Sequence, residues 1–106
     1  MTARIRIPPQ ARRGEIIEVR IIIQHPMETG YRTNEVGRPI RRNTIRTLSC
    51  RYNGAEVFRA ELSPGIAANP YLQFYTVAEA SGEFEFSWVD DEGTRGSERQ
   101  SIVVNG

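Results

Sequence analysis

Apolar and polar residues alternate along most of this chain, and an alternation of period two is typical of β-strands with one buried face. The strongest example spans residues 15–24, where isoleucine and valine recur on one side. Because β-branched side chains favour strands, we predict that this segment is a central strand. Its predicted inward residues are Ile17, Val19, Ile21 and Ile23.

Similar but shorter alternations predict further strands. In residues 83–90 the inward residues would be Phe84, Phe86 and Trp88. Other strands are predicted at residues 4–7, 71–78, 94–100 and 101–104, with the polar 94–100 segment at a sheet edge. No helical periodicity is sustained anywhere. About seven short strands separated by turn residues predict an all-β fold, an immunoglobulin-like antiparallel β-sandwich forming a single domain over residues 1–106.

The clearest turn signal is Asn53-Gly54, a pair that tolerates the positive φ angles of a two-residue type I′ turn. It predicts a hairpin in residues 44–62 with the cross-strand pairs Tyr52–Ala55, Arg51–Glu56 and Cys50–Val57. This register places apolar residues on both faces: Leu48, Cys50, Tyr52 and Val57 on one, and Phe58, Ala60 and Leu62 on the other. Either a β-bulge shifts the phase, or both faces are covered, one of them by a partner.

Two segments lack a regular pattern. Residues 25–43 form a long polar connection with prolines and glycines, and we predict a small hairpin around residues 34–37. Residues 63–70 are predicted to be irregular, with room for one helical turn. The strand after them, residues 71–78, is apolar on both faces. Leu72 and Phe74 lie on one face and Tyr71, Tyr75 and Val77 on the other, which favours a partner on the second face.

Composition narrows the function classes. The chain has 25% charged and 39% hydrophobic residues and a net charge of +1, which gives no general attraction to nucleic acid or to an anionic membrane. All 14 basic residues are arginine, so no lysine amine is available as a Schiff-base nucleophile. The first seven residues lack the apolar core of a signal peptide.

Candidate catalytic and metal-binding residues are few. The chain has one cysteine, Cys50, which we predict to be a buried small hydrophobe in a strand. Its single histidine, His25, precedes a proline at a strand end, where histidine is most often structural or exposed. The acidic residues 90–92 precede Gly93 and indicate a solvated turn, not a metal site. We therefore predict a binding or assembly domain with no catalytic residues, no cofactor and no metal.

Several blocks resemble one known family in order along the chain. The first is residues 25–32, His-Pro-Met-Glu-Thr-Gly-Tyr-Arg, and the match continues through residues 37–40, 50–54 and 56–62. It extends over residues 67–71, 81–84 and 88–93. Together these blocks resemble SoxZ, a subunit of the bacterial sulfur-oxidising (Sox) system.

The resemblance implies a non-catalytic subunit that pairs with SoxY, the sulfur carrier of thiosulfate oxidation. SoxY would hold the covalent sulfur intermediate on a cysteine of its C-terminal arm and present it to other Sox enzymes, which touch the pair transiently. This chain ends without a Gly-Gly-Cys tail, so it does not match the carrier subunit. The family works in the periplasm, and we expect co-export with a SoxY that carries the signal peptide.

Eight residues are candidate partner contacts. Some are apolar residues on the strand face that points away from the predicted core, and the others lie in one loop with varied side chains. A loop that combines an adaptable apolar group, an aromatic and both charge signs suits a contact surface. The candidates are His25, Met27, Glu28, Tyr31, Arg32, Phe58, Tyr71 and Tyr75.

Two alternative functions belong to other classes of protein. The first is a stand-alone adhesion or ligand-binding domain with no obligate partner. The second is a superoxide-reductase-like iron protein, whose iron site needs several histidines and a cysteine. The single histidine of this chain argues against it.

Overall fold

A computed structural model describes residues 3–62 and 68–106. Within these ranges the chain forms eight strands and no helix. They are β1 (Ala3–Arg6), β2 (Gln10–Arg12), β3 (Ile16–Ile23), β4 (Ile45–Tyr52), β5 (Ala55–Glu61), β6 (Tyr71–Val77), β7 (Gly82–Asp90) and β8 (Arg95–Asn105). None of these residues lies in a helix able to cross a membrane.

The strands form two sheets that face each other. One has three strands in the order β1-β3-β6, and the other has five in the order β2-β8-β7-β4-β5. All neighbours are antiparallel except β2 and β8, which pair in parallel. This is the predicted immunoglobulin-like sandwich, and β3 is central in its sheet as its sequence indicated.

The core lies between the sheets and uses the inward residues that the alternation predicted. Every predicted inward residue of β3 and β7 is at most 3% exposed. Aromatic rings connect the layers, since Phe74 of β6 meets Phe86 of β7 with centroids 6.3 Å apart. Tyr52 stacks on Phe84 within the five-stranded sheet, at 4.4 Å.

The Asn53-Gly54 hairpin forms as predicted, with φ angles of 49° and 86° at the two turn residues. The pairs Tyr52–Ala55 and Arg51–Glu56 also form, but Cys50 lies opposite Phe58, not Val57. A register shift between Cys50 and Arg51 accounts for the difference. The bulge is thus the correct alternative, because it turns Phe58 toward the core.

Other expectations need smaller corrections. Strand β2 was not predicted, because three residues after a Pro-Pro pair carry too little pattern to reveal a parallel pairing. Segments 94–100 and 101–104 form one strand, β8, whose first half is an edge because β2 reaches only Val103–Asn105. In the irregular segment 63–70, residues 63–67, where a helical turn was considered, lie outside the described residues.

Candidate partner-binding site

The long connection between β3 and β4 is a narrow two-stranded projection, which we call the arm (residues 26–43). Glu28 and Asn43 exchange two backbone hydrogen bonds of 2.8 Å at its base. Farther out, Ile40 N–H donates to Arg32 O at 2.8 Å, and residues 34–38 close the predicted small turn. The molecule measures 60 × 19 × 18 Å, and its radius of gyration of 16.2 Å exceeds the roughly 13 Å of a compact domain of this size.

His25 anchors the base of the arm, and its side chain is only 3% exposed. Its Nδ1 accepts a hydrogen bond from Met27 N–H at 2.9 Å, and its Nε2 lies 3.2 Å from Asp90 Oδ2. A ring nitrogen that accepts carries no proton, so the neutral ring must carry its proton on Nε2 and donate it to Asp90. Asn69 also binds the backbone of His25 on both sides, at 2.8 and 3.1 Å.

Asp90 and Asp91 tie the end of β7 to the arm. Burial opposes ionisation of Asp90, but hydrogen bonds from His25, from Asn43 and from the N–H groups of Thr94 and Glu92 outweigh it and lower its pKa. The pKa of Asp91 is lowered chiefly by the Thr44 hydroxyl at 2.7 Å, against the opposing effect of burial. The predicted solvated turn is therefore an organised carboxylate pair.

Met27 points into the core and is 4% exposed. Its thioether sulfur accepts a hydrogen bond from Ile45 N–H at 3.3 Å, and its backbone adopts a positive φ of 50°. A non-glycine residue with this φ is uncommon and is held by its surroundings. With His25, Met27 therefore positions the arm from inside, and neither side chain reaches the surface in this conformation.

The other loop candidates lie on the arm itself. Glu28 is largely buried and pairs with Arg32 at 3.1 Å, with one carboxylate oxygen left without a partner. Tyr31 is 92% exposed. Of the five loop candidates, Tyr31 and Arg32 are therefore the side chains directed to solvent.

The remaining candidates lie along the side of the sandwich where β5 and β6 are the edge strands. Phe58 of β5 stacks on Phe74 of β6 with centroids 4.3 Å apart and an angle of 2°. Phe58 is half-buried and so closes the core on this side. Tyr71 and Tyr75 point the opposite way, onto the outer face of the three-stranded sheet.

That outer face carries the main cluster of exposed apolar side chains among the described residues, which we call the apolar face. Sequence reasoning found Tyr71 and Tyr75 but did not select the neighbours that the β3–β6 register brings beside them. The sequence did contain a sign of these neighbours, because β3 has isoleucines at outward positions. The apolar face consists of Ile16 (69% exposed), Ile22 (40%), Tyr71 (50%), Tyr75 (62%) and Val77 (41%).

Strand β6 is also an open edge. Among the described residues it pairs only with β3, and none of its seven residues is charged. Its outward side chains form a chain of hydrogen bonds, from Tyr71 to Gln73 and from Gln73 to Tyr75, each 3.1 Å long. Monomeric proteins usually protect such an edge with charges, prolines or bulges. This strand has none of these devices.

Cys50 is fully buried, as predicted. Burial in the apolar core raises the pKa of its thiol to about 12. Since the thiolate is the reactive form, this thiol is chemically inert in the folded chain.

Comparison with protein families decides the identity. The family model described as sulphur oxidation protein SoxZ matches residues 5–101, nearly the whole chain. This chain belongs to the SoxZ family. The resemblance seen in the sequence blocks is thereby confirmed, and with it a role in sulfur oxidation by the Sox system. A search of curated protein sequences gives no significant match.

Solved structures share the fold of this SoxZ-family chain. The superoxide reductase (neelaredoxin) from Ignicoccus hospitalis superposes with a TM-score of 0.74 at 18% identity, covering 99% of this chain and 81% of that chain. The sulfur carrier protein SoxY from Chlorobium limicola f thiosulfatophilum gives 0.69 at 12% identity, with coverages of 98% and 79%. A neelaredoxin from Archaeoglobus fulgidus gives 0.61 at 18% identity, with coverages of 95% and 86%. At these identities the likeness concerns the fold alone.

The residues of this chain do not fit the iron centre that the superoxide reductase fold suggests. Both ring nitrogens of its single histidine, His25, are engaged, with Met27 and Asp90. Cys50 is buried within β4, and no group of three or more potential ligand residues occurs among the described residues. The shared sandwich therefore carries a different surface chemistry here.

Proposed function

We propose that this chain is a non-catalytic subunit that pairs with SoxY through the apolar face and the open edge of β6. The observation that carries the proposal is this combination of exposed tyrosines and isoleucines with an uncharged edge strand. Exposed apolar clusters of this kind mark interfaces, and tyrosine is enriched where binding energy concentrates. The choice of SoxY as the partner is supported by membership of the SoxZ family, because the SoxZ resemblance implies pairing with SoxY.

A standard interface buries about 800 Å² on each partner, and obligate interfaces are larger and more apolar. The apolar face has two ends in the β3–β6 register, Ile16 beside Val77 and Ile22 beside Tyr71, with the Glu18–Arg20 ion pair between them. A complex with SoxY over this face would therefore combine apolar and charged contacts. In this complex SoxY carries the covalent sulfur intermediate, and this chain supplies a scaffold and a docking surface.

The arm has a second role in this proposal. Its rigid base at His25 and Met27 holds Tyr31 away from the sandwich, where that side chain can contact SoxY or a Sox enzyme that receives the intermediate. Tyr31→Ala is a clean probe, because it removes an exposed ring without opening the core. Met27→Ala is not, since emptying a buried methionine site costs about 2–5 kcal/mol of stability.

Co-expression with SoxY tests the pairing. We expect the two chains to co-purify and to elute together as a heterodimer in gel filtration. The lone chain should self-associate or lose solubility, because its apolar face is uncovered. A monodisperse, stable lone chain that ignores SoxY would instead favour a stand-alone adhesion or ligand-binding domain.

Location follows from the same pairing. We propose that the chain reaches the periplasm by co-export with a signal-bearing SoxY. Deleting the SoxY signal should leave this chain in the cytoplasm, as measured by fractionation and immunoblotting. Its appearance in the periplasm without SoxY would contradict co-export while leaving the pairing intact.

A further inference from the structure

The outer face of the five-stranded sheet contains an open groove of about 490 Å³ that no part of the proposed pairing uses. No carboxylate of the described residues lines this groove, although the chain has 13 acidic residues. Serine and threonine form the floor and arginine the walls. We call it the arginine groove, and its principal residues are Ser49, Ser87, Ser97, Arg51, Arg59 and Arg95.

Strand register explains how the floor forms. Ser49 of β4 lies opposite Ser87 of β7, which in turn lies opposite Ser97 of β8. Neighbouring strands are about 4.8 Å apart, so the three hydroxyls form one row across the sheet. The Ser49 and Ser87 oxygens are 2.9 Å apart and share one hydrogen bond, which leaves one of their two protons available to donate.

The guanidinium groups on the walls are only partly neutralised. Arg51 lies in register with Glu56 and Glu85, but those carboxylates bind Arg59 at 2.9 Å and Arg99 at 2.7 Å instead. The predicted cross-strand position of Arg51 opposite Glu56 is confirmed, but the Glu56 carboxylate pairs with Arg59. Among the described residues, Arg51 and Arg95 have no carboxylate within 4.0 Å. Arg59 uses one of its five N–H donors on Glu56.

A surface that offers many donors and lacks carboxylates is matched to an oxyanion. Guanidinium forks bind the oxygens of tetrahedral anions in pairs, and such charge-assisted hydrogen bonds are about twice as strong as neutral ones. Hydroxyl donors on the floor add contacts from a third direction. A solvated arginine face that served only solubility would not need a row of serines between its arginines.

We propose that the arginine groove binds a sulfur oxyanion, a group of the sulfate or thiosulfate type. The groove chemistry selects an oxyanion, and the choice of sulfur rests on the proposed function. The –SO₃⁻ group can belong to a free anion in solution or can be carried on a polypeptide. The groove and the apolar face belong to different sheets, so both can be occupied at once.

Amide NMR titration of the ¹⁵N-labelled chain bound to unlabelled SoxY tests the groove. Thiosulfate, sulfate and chloride are compared at matched ionic strength, with S-sulfoglutathione as the peptide-borne probe. We expect saturable shifts at Ser49, Ser87 and Ser97 with the sulfur oxyanions, and none with chloride. If only S-sulfoglutathione causes shifts, the ligand of the groove is a group carried on a polypeptide. If the free anions cause shifts, the ligand is a free anion.

Arg51→Gln with Arg95→Gln should raise the dissociation constant at least about tenfold, because two charge-assisted contacts are removed. The matched control is Arg38→Gln with Arg41→Gln, two arginines of the arm that lie outside the groove. This pair removes the same charge and should change the dissociation constant less than about twofold. Amide spectra report whether each variant is folded. Ser97→Asp is a second variant that should block binding by repulsion.

Two results would overturn the inference: no saturable shift with any sulfur oxyanion, or equal weakening by the control pair. Affinity for SoxY is measured in parallel. If no oxyanion binds the groove but SoxY still binds the chain, only the oxyanion proposal is refuted. If SoxY does not bind, the proposed pairing fails, and the same titration of the chain alone still decides the groove.

Discussion

The two sheets share one core but differ in the chemistry of their outer faces. The three-stranded sheet exposes Tyr75 and Ile16 by 62% and 69%, and its edge strand β6 has no charged residue. Its charged outward side chains lie on β1 and in the middle of β3, where Glu18 and Arg20 form an ion pair. The five-stranded sheet alternates arginine, glutamate and serine outside, with ion pairs such as Arg99–Glu85 at 2.7 Å. One outer face therefore combines exposed apolar and charged side chains, while the other is mainly charged and polar.

The difference shows how a sandwich can separate stability from recognition. Each strand buries one face in the common core, so its other face is free to change without loss of the fold. An apolar outer face suits a partner that stays bound, because it costs solubility when uncovered. A charged face suits solvent and small or transient ligands.

The largest effect is expected where a charge enters the apolar face. Tyr75→Arg should weaken SoxY binding by at least about 3 kcal/mol, because it removes an aromatic anchor from the interface and places a charged side chain there. Isothermal titration calorimetry measures the change. Val103→Arg is the matched control, an exposed apolar residue of the five-stranded sheet that should leave affinity unchanged. Equal losses in both variants would erase the distinction between the faces.

A smaller effect is expected inside the five-stranded sheet, where Gly96 lies opposite Trp88. A Cβ at Gly96 would come within 2.3 Å of the buried indole ring. Gly96→Ala should therefore lower the free energy of unfolding by about 2 kcal/mol, a typical cost of overpacking. Urea denaturation measures it, with Ser97→Ala as a neighbouring control on the outer face. An unchanged midpoint would mean that Trp88 moves freely and that this core is loosely packed.

Acid should loosen the junction between the five-stranded sheet and the arm. The pKa of Asp90 is lowered in the folded chain, so its ionised form stabilises the fold above the unfolded pKa of about 4, and this contribution is lost as pH falls through the lower folded pKa. In Asp90→Asn the free energy of unfolding should fall less steeply below about pH 4 than in the wild type. Near neutral pH the substitution should lower the free energy of unfolding by about 1–3 kcal/mol. Glu92→Gln, in the adjacent turn, should keep the wild-type acid profile in urea unfolding.

The smallest effect concerns Cys50, whose thiol pKa is raised to about 12 by burial. In the native complex incubated with thiosulfate and the Sox enzymes, intact mass should show no sulfur adduct on this chain. A thiol reagent at pH 8 should react with Cys50 only after denaturant is added, because less than about 0.1% of a thiol with this pKa is ionised at that pH. Rapid labelling of the folded chain would show that the five-stranded sheet opens readily.

Much of the fold could be predicted because local rules and burial agree. The alternation in residues 15–24 and 83–90 identified β3 and β7 and their inward residues, and Asn53-Gly54 identified the hairpin turn. Period-two patterns depend on neighbours along the chain, so the sequence carries them directly. Tyr71 and Tyr75 were also recognisable, as apolar residues on the side of β6 opposite to Phe74.

The rest depended on contacts between residues distant in sequence, which form only when the strands pack together. The bulge at Cys50 turns Phe58 onto Phe74, and the burial of His25 depends on Asp90, 65 residues away. The serine row of the arginine groove exists only because three strands align in one register. Local sequence patterns were sufficient for most strands, with β2 as the exception, and for the buried faces of β3 and β7. The sheet order determined which outward side chains meet, because pairing partners are chosen by the packing of the whole core.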